Sequence, residues 1–252
     1  MKLKIIANTN KAPALDYLRQ VQAFVTHKKI HITDRIPDAD VIITLGGDGT
    51  MLRASHDAAF FNIPILGINL GTLGFLTDVE KEHGFEAIEK VLSGNYKTEK
   101  RLMLDITTPS QPPTIALNDV AIGSHGRLKK YTIYVNGQAL DSIRADGIVV
   151  ATPTGATAYN LSAGGPLLMP GGDMMVITPI CPHSLSSRPL VVGGGDTIQI
   201  KPHHQQPMAI AVDGQDINES PTITIKKSTL YTTIIKTHDS NFYDTLRRKK
   251  IL

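Results

Sequence analysis

Apolar positions along the first hundred residues follow two rhythms in turn. Leu3 to Ala7 form a short apolar run, the mark of a buried strand, and Leu15, Leu18, Val21 and Val25 then recur at helical spacing. Asp40 to Leu45 (DVIITL) and Pro64 to Ile68 (PILGI) predict a second and a third buried strand. The segment MLRASHDAAF between them reads as helical. Phe85, Ile88 and Leu92 mark a further helix, closed by Gly94 just past its end. Strand–helix–strand alternation predicts an α/β domain with an open, mostly parallel sheet.

From about residue 98 the segments become short, β-rich and separated by turn residues. Tyr131 to Val135 and Gln138 to Ile143 flank Asn136-Gly137, whose residues accept the positive φ angles of a type I′ hairpin turn. Further strands are predicted at 114–122, 147–151, 174–178, 196–201, 207–212, 221–226 and 229–236. So many closely spaced strands predict an all-β, sandwich-like C-terminal domain. Asn241 to Lys250 reads as a closing helix ending in Arg-Arg-Lys-Lys. No repeat or low-complexity linker separates the halves, which predicts a tight junction.

Composition narrows the class. Aromatics make up 5% of the 252 residues and Trp is absent, so Ile, Leu, Val and Ala must build the core. The net charge is +3, too near balance for a protein that neutralises nucleic-acid phosphates wholesale. A nucleic-acid partner is therefore not expected. No apolar run approaches the ~20 residues of a membrane helix. MKLKIIANTN reads as an opening strand and not as a signal peptide. The lone cysteine, Cys181, excludes an internal disulfide, and a reducing, cytoplasmic setting fits.

Four segments carry candidate chemistry. Gly46-Gly47-Asp48-Gly49-Thr50 follows one strand and opens a helix. Glycines there let backbone N–H groups approach phosphate oxygens, and the helix start adds a positive dipole end. No Gly-Lys-Ser/Thr follows, so any phosphate is held without the lysine of a P-loop. Asp48 beside a phosphate would bind a metal or accept a proton. The plainer reading is that Asp-Gly is an ordinary turn dipeptide. The second segment runs from Arg144 to Pro166, where a buried strand leads into Thr-Pro-Thr-Gly-Ala-Thr-Ala-Tyr. Its hydroxyls, free backbone groups and aromatic ring suit the edge and face of a base, or Thr154 or Thr157 simply caps a helix. The third is Asn118-Asp119 inside an apolar stretch, either partners for a ribose diol or an Asx turn at a strand end. The fourth is Gly67-Ile68-Asn69-Leu70-Gly71-Thr72-Leu73-Gly74-Phe75, expected at the same sheet edge as the first.

In order along the chain, GGDGT, GINLGTLGFLTD, ALNDV, DGIVVATPTGATAYNLSAGGP, PHSLSSRPLVV and AVDGQ closely resemble the NAD kinase family in its bacterial form. The likeness runs from about residue 41 to 216, and FYDTLRRK near the end shares it. The threonine–tyrosine block is its most specific part; GGDGT is shared with lipid kinases and phosphofructokinase-like enzymes. The resemblance implies an α/β donor domain over 1–98, joined by the tail 237–252, and a β-rich NAD-binding domain over 99–236. It implies phosphorylation of the adenosine-ribose 2′-hydroxyl of NAD, with ATP or polyphosphate as donor and Mg²⁺ or Mn²⁺ as divalent ion. A homodimer or homotetramer is implied as well.

By the same resemblance Asp48 is the proton acceptor, and Gly46, Gly47, Gly49 and Thr50 form the donor turn. NAD is held by Asp48, Gly49, Arg53, Phe75, Asn118 and Asp119, then by Arg144, Asp146, Thr154, Thr157, Ala158 and Tyr159, and finally by Asn160, Leu161, Ser162 and Gln215. The family more often carries Glu after the Asn; Asp119 keeps the charge with a shorter reach. Rival readings are a dinucleotide-binding sensor without turnover, a lipid or sugar kinase sharing GGDGT, and a family member that prefers NADH. Cys181 with His183 is expected to be inert, and His203-His204, pointing to opposite faces of a strand, to share no metal.

Overall fold

A computed structural model describes residues 1–9, 12–77, 79–123, 128–203, 207–238 and 241–251, which leaves His204 outside it. The chain divides into two compact units, Met1–Arg101 with Leu230–Leu252, and Leu102–Thr229.

The first unit contains β1 (Lys2–Ala7), α1 (Ala12–His27), β2 (His31–Ile32), β3 (Val41–Gly46), α2 (Asp48–Phe60), β4 (Ile65–Asn69), β5 (Val79–Glu80) and α3 (Gly84–Leu92). The strands pair in the order β2–β1–β3–β4, all parallel, and β5 adds to β4 in parallel. Parallel neighbours need crossovers, which is where the helices fall. All six residues of β3 are buried, as an unbroken apolar run requires. Of the expected stripe of α1, Val21 and Val25 are buried and Leu18 packs against the core, while Leu15 is exposed and Tyr17 is buried instead. The Tyr17 hydroxyl donates to the Lys81 carbonyl at 3.0 Å. Gly94 takes φ +73° after α3, as its place past the helix end demands.

The second unit begins within β6 (Lys97–Thr108) and continues with β7 (Gln111–Ala116), β8 (Asp119–Gly123), β9 (Lys129–Val135), β10 (Gln138–Ala145), β11 (Gly147–Ala151), the short helix α4 (Tyr159–Ser162) and β12 (Met174–Ile180). Then come β13 (Leu190–Gly193), β14 (Thr197–Pro202), β15 (Met208–Val212), β16 (Gln215–Ser220) and β17 (Ile223–Lys236), whose last residues return to the first unit with α5 (Phe242–Arg248). One layer is a six-stranded antiparallel sheet in the order β13–β12–β11–β8–β15–β16. Facing it are β10–β9–β14–β17, also antiparallel within this unit, and the β6–β7 pair. Leu104, Ile106, Ile122, Tyr131, Ile148, Ile177, Ile198 and Ile225 interdigitate between the layers. Asn136 and Gly137 take φ +52° and +78° in the expected hairpin turn.

Two expectations need correction, and three strands carried no signal in the sequence. The run 114–122 is two strands, because the chain leaves β7 at Leu117 and its amides turn to a carboxylate, that of Asp213, before β8 begins. The segments 221–226 and 229–236 are one strand, β17: Lys226 and Lys227 punctuate the sequence like a turn, yet Ser228 is buried and the ladder runs on. β6, β13 and β16 carry charged or exposed residues over much of their length, so their apolar alternation is too weak to show.

Candidate active site

In the first unit β3 ends at Gly46 directly opposite Asn69, the last residue of β4, so both glycine-bearing loops leave one sheet edge. Open parallel sheets hold ligands at that carboxyl edge. Gly47 sits at the N-cap of α2 with no side-chain cap, and a Cβ on Gly47 or Gly49 would meet nothing within 4 Å. These two glycines therefore leave bare backbone at the helix start. Gly46 is different, since a Cβ there would collide with the Thr50 hydroxyl.

Asp48 is fixed by the second loop. Its Oδ1 accepts from Leu76 N at 3.0 Å, Thr77 N at 3.0 Å and Thr77 Oγ1 at 2.9 Å. Among the described residues its Oδ2 accepts from one donor only, Phe75 N at 2.7 Å. A carboxylate oxygen has two lone-pair directions, so Oδ2 keeps one for a further donor. Gly74 is required here, because a Cβ would overlap Oδ1. Phe75 is half-buried with its ring 5.9 Å from Phe242 and Lys249 Nζ 5.0 Å from its centroid, while Arg53 is exposed on α2.

In the second unit the buried strand β11 runs into Thr152-Pro153-Thr154-Gly155. The turn is tied by Thr152, not by Thr154 or Thr157. Thr152 Oγ1 donates to the Leu117 carbonyl at 2.6 Å and accepts from Gly155 N at 3.0 Å. Thr157 Oγ1 only donates back to the Thr154 carbonyl at 3.3 Å. Thr154 is 6% exposed, and its Oγ1 has no hydrogen-bond partner among the described residues. Gly155 packs so closely on Asn118 that a Cβ would overlap the Asn118 carbonyl. Gly155→Ala is expected to cost about 1–3 kcal/mol, because backbone atoms cannot yield as a flexible side chain can; a thermal melt checks this.

Asn118 and Asp119 are positioned by a residue that the sequence motifs left unassigned. Asp213 accepts Leu117 N at 2.8 Å on one oxygen, and Asn118 N at 2.8 Å and Asp119 N at 3.1 Å on the other. Asp213 takes φ +48° and Gly214 φ +76° in the β15–β16 turn, so the Asp-Gly dipeptide was the signal available. Asp119 is 5% exposed. Burial pushes its carboxyl up to about 7, the Asp213 carboxylate adds to the rise, and the Tyr159 backbone N–H opposes it.

Tyr159, Asp146 and Asp216 line one cavity of about 360 Å³, floored by Ala121, Gly123 and Ala211 of β8 and β15. Small residues on adjacent strands leave room for a flat group there. Tyr159 is 44% exposed. Asn160 lies buried behind it: its amide donates to the Ala156 and Pro166 carbonyls and accepts from Thr178 Oγ1 at 2.6 Å. Its side chain braces the loop and faces no solvent. Ala158 and Leu161 are half-buried, Ser162 and Gln215 are exposed, and Arg144 lines other cavities than the one holding Tyr159.

Comparison with known proteins agrees with this architecture. The family model of the ATP-NAD kinase N-terminal domain matches residues 34–96, and that of the C-terminal domain matches 117–237. The NAD kinase of Caldanaerobacter subterraneus subsp. tengcongensis is 44% identical over 221 residues, covering 84% of this chain and 78% of its own. That of Methanothermobacter thermautotrophicus is 38% identical over 275 residues, covering 100% and 96%. A crystal structure of an NAD kinase from Archaeoglobus fulgidus in complex with ATP superposes with TM-score 0.84 at 25% identity, over 98% of this chain and 99% of that one. The fold and both matched domains define an ATP-dependent phosphotransferase. The chain belongs to the NAD kinase family, and its activity is the phosphorylation of NAD to NADP using ATP.

Proposed function

We propose that the hydroxyl phosphorylated is the 2′-OH of the adenosine ribose and that Asp48 is the group that takes its proton. The observation that carries this is the asymmetry of the Asp48 carboxylate: four donors fix its direction, and only Oδ2 has a lone pair to spare. A ribose hydroxyl is a poor nucleophile at neutral pH, and an aimed carboxylate both orients it and removes its proton as the phosphoryl group arrives. Gly46, Gly47, Gly49 and Thr50 form the donor turn, where bare backbone at the uncapped start of α2 receives phosphate oxygens. Most of the rate enhancement then comes from positioning and charge stabilisation.

In the second unit the adenosine is held by Asn118 and Asp119 at the ribose and by Thr157, Ala158 and Tyr159 at the base. The orphaned Thr154 hydroxyl supports this, since a buried donor without a partner is costly unless a ligand completes it. Leu161, Ser162, Gly49, Arg53, Phe75, Arg144, Asp146 and Gln215 belong to the wider dinucleotide set. Asn160 contributes through the loop it braces.

A divalent ion does not fit as a resident of this protein. Among the described residues no three His, Cys, Asp or Glu side chains gather into a metal-binding group. Both oxygens of Asp213 accept from backbone amides and Asp48 Oδ1 is filled by three donors, which leaves only a single lone pair on Asp48 Oδ2, too few ligands for a resident ion. Mg²⁺ or Mn²⁺ is therefore assigned to the donor's phosphates, as part of the substrate. Among the described residues no helix is long and apolar enough to cross a membrane. The unpaired Cys181 supports a reducing, cytoplasmic setting, and membership of the family supports a homo-oligomer. The deciding experiment is a product assay with NAD or NADH, ATP or polyphosphate, and either ion. NADP carrying its new phosphate on the 2′-oxygen is expected; a product phosphorylated elsewhere would sink the assignment.

Asp119 gives this reading a pH signature. An ionised carboxylate accepts both hydroxyls of a ribose diol, whereas the protonated form accepts less well. NAD binding therefore favours the ionised form, and the KM for NAD is expected to fall as pH rises from about 6 to 8. Because its folded value is raised, Asp119 binds more protons in the folded state. Folding stability is expected to decline from pH 4 towards 7 and then level off. The decline amounts to a few kcal/mol, about 1.4 kcal/mol for every pH unit between the unfolded and folded values. Asp119→Asn should flatten both profiles, as read by initial rates and by denaturant melts across pH.

A further inference from the structure

The loop after β4 delivers four donors to Asp48, and its parts are held in different ways. Its first part is self-contained: Asn69 Nδ2 donates to the Thr72 carbonyl at 2.7 Å, and Asn69 Oδ1 accepts from Gly71 N at 2.8 Å. Leu76 and Thr77 at its far end are buried. Phe75 lies between and is only half-buried, yet its N–H meets Asp48 Oδ2 at 2.7 Å. Three donors pin Oδ1, so the freedom left to the carboxylate is where Oδ2 points. Among the described residues Phe75 N alone sets that direction.

The ring of Phe75 is gripped from α5, at the other end of the sequence. Phe242 opens α5, and its ring lies 5.9 Å from that of Phe75 with a tilt of 48°. That separation and tilt suit an aromatic pair. Lys249 directly follows α5 and places Nζ 5.0 Å from the Phe75 centroid, within cation–π reach. The two residues stand two helical turns apart, on one side of α5. The backbone fixes where Lys249 sits. Lys250 takes φ +55°, its N–H donates to the Arg247 carbonyl at 3.0 Å, and Ile251 N donates to the Leu246 carbonyl at 3.1 Å. This is a Schellman closure, with a lysine at the left-handed position that favours glycine.

Packing of the tail for its own sake does not account for this arrangement. A helix of seven residues is too short to persist alone, so docking holds α5 in shape. Leu246 is buried, and the Arg248 guanidinium bonds to the Glu80 carboxylate on β5. Glu80 is paired with Asn69, the residue from which the loop departs. Leu246 and Arg248 thus moor α5 beside that sheet edge. Phe242 and Lys249 bear instead on a single ring, in the loop that holds Asp48.

We infer that Phe242 and Lys249 are positioning residues for phosphoryl transfer, which rests on Asp48 being the proton acceptor: they hold the Phe75 ring so that its N–H aims Asp48 Oδ2 at the hydroxyl. The test is a double-mutant cycle on the full-length protein, with NADP read by an enzymatic cycling assay that amplifies slow turnover. Phe242→Ala should lower kcat about tenfold, as a slightly misplaced reacting group does. Lys249→Gln should lower it about two- to fivefold, the worth of one cation–π contact. Phe242→Tyr and Lys249→Arg keep the ring and the charge and should restore kcat to within twofold of wild type. Two controls should also stay within twofold. Arg247→Gln removes the same charge from the exposed side of α5, and Val21→Ala truncates a buried residue of α1. In an Asp48→Asn background, Phe242→Ala should cost less than a further twofold, because the carboxylate it acts through is gone. A merely loosened fold would multiply the two losses. Lys249→Gln removes no buried apolar group and completes the same cycle if Phe242→Ala does not fold. Multiplied losses, an unchanged kcat in the α5 variants, or an equal loss in either control would overturn the inference and leave Asp48 in its role. Near-normal kcat in Asp48→Asn alone would overturn both.

Discussion

Asp48→Asn is expected to lower turnover of NAD by about 10²–10⁴-fold, the range of a general base removed from a positioned hydroxyl. The amide still accepts on its oxygen, but its NH₂ must face either the Phe75 amide or the Leu76 and Thr77 donors. Part of any loss could therefore come from a shifted loop. Phe75 fluorescence is too weak a probe of that, so the control is Thr77→Val. This removes one of the four donors and leaves the carboxylate in place. If loop order were the whole effect, Thr77→Val would reproduce a large share of the kcat loss. If Asp48 takes the proton, Thr77→Val should lose less than tenfold, while Asp48→Asn keeps its affinity for NAD. Near-normal kcat in Asp48→Asn would remove Asp48 from the chemistry.

Asp213→Ala is expected to do the most damage to the second unit. Three backbone amides, those of Leu117, Asn118 and Asp119, lose their acceptor at once. Each unsatisfied buried donor costs about 1–3 kcal/mol, and water entering the gap recovers part of this. A net loss on the order of 3 kcal/mol follows, read as a drop in denaturation midpoint. A second readout separates this from general destabilisation. The Asp213 charge is one cause of the raised Asp119 value, so its removal should move the pH dependence of the KM for NAD to lower pH. Asp213→Asn should show the same pH shift with a smaller loss of stability, because one oxygen still accepts. An unchanged pH profile in both variants would mean that Asp119 does not titrate in NAD binding.

Much of the fold was legible because the first unit follows rules that act locally. Short apolar runs bounded by turn residues, such as Val41–Leu45, fit buried parallel strands, and Gly94 and Asn136-Gly137 announce their backbone conformations. What stayed hidden depends on contacts distant in sequence. The break between β7 and β8 is set by Asp213, 94 residues beyond Asp119. The burial of Tyr17 goes with a hydrogen bond to Lys81, 64 residues away. The site shows the same division. Motif spacing singled out Asp48, Asn118, Asp119 and Tyr159 as candidates, groups at strand ends, loops or helix starts. It did not find Thr152, Thr77 or Asp213, whose work is to hold those groups. Their chemistry is ordinary hydroxyl and carboxylate bonding to backbone, with no pattern of its own. Asn160 shows the limit from the other direction, since only coordinates distinguish an amide facing a ligand from one saturated by its own loop.

The first unit closes with the last residues of the chain: Ile234 pairs with Ile65, and Ile235 packs among Leu3, Val41 and Leu66. The second unit is one uninterrupted stretch. On the ribosome, then, the later-made part is complete first. The opening hundred residues must stay unsealed for roughly ten to thirty seconds while the rest is translated. A premature stop near the end would expose not a frayed tail but the flank of the earliest-made sheet, where chaperones and proteases would find it.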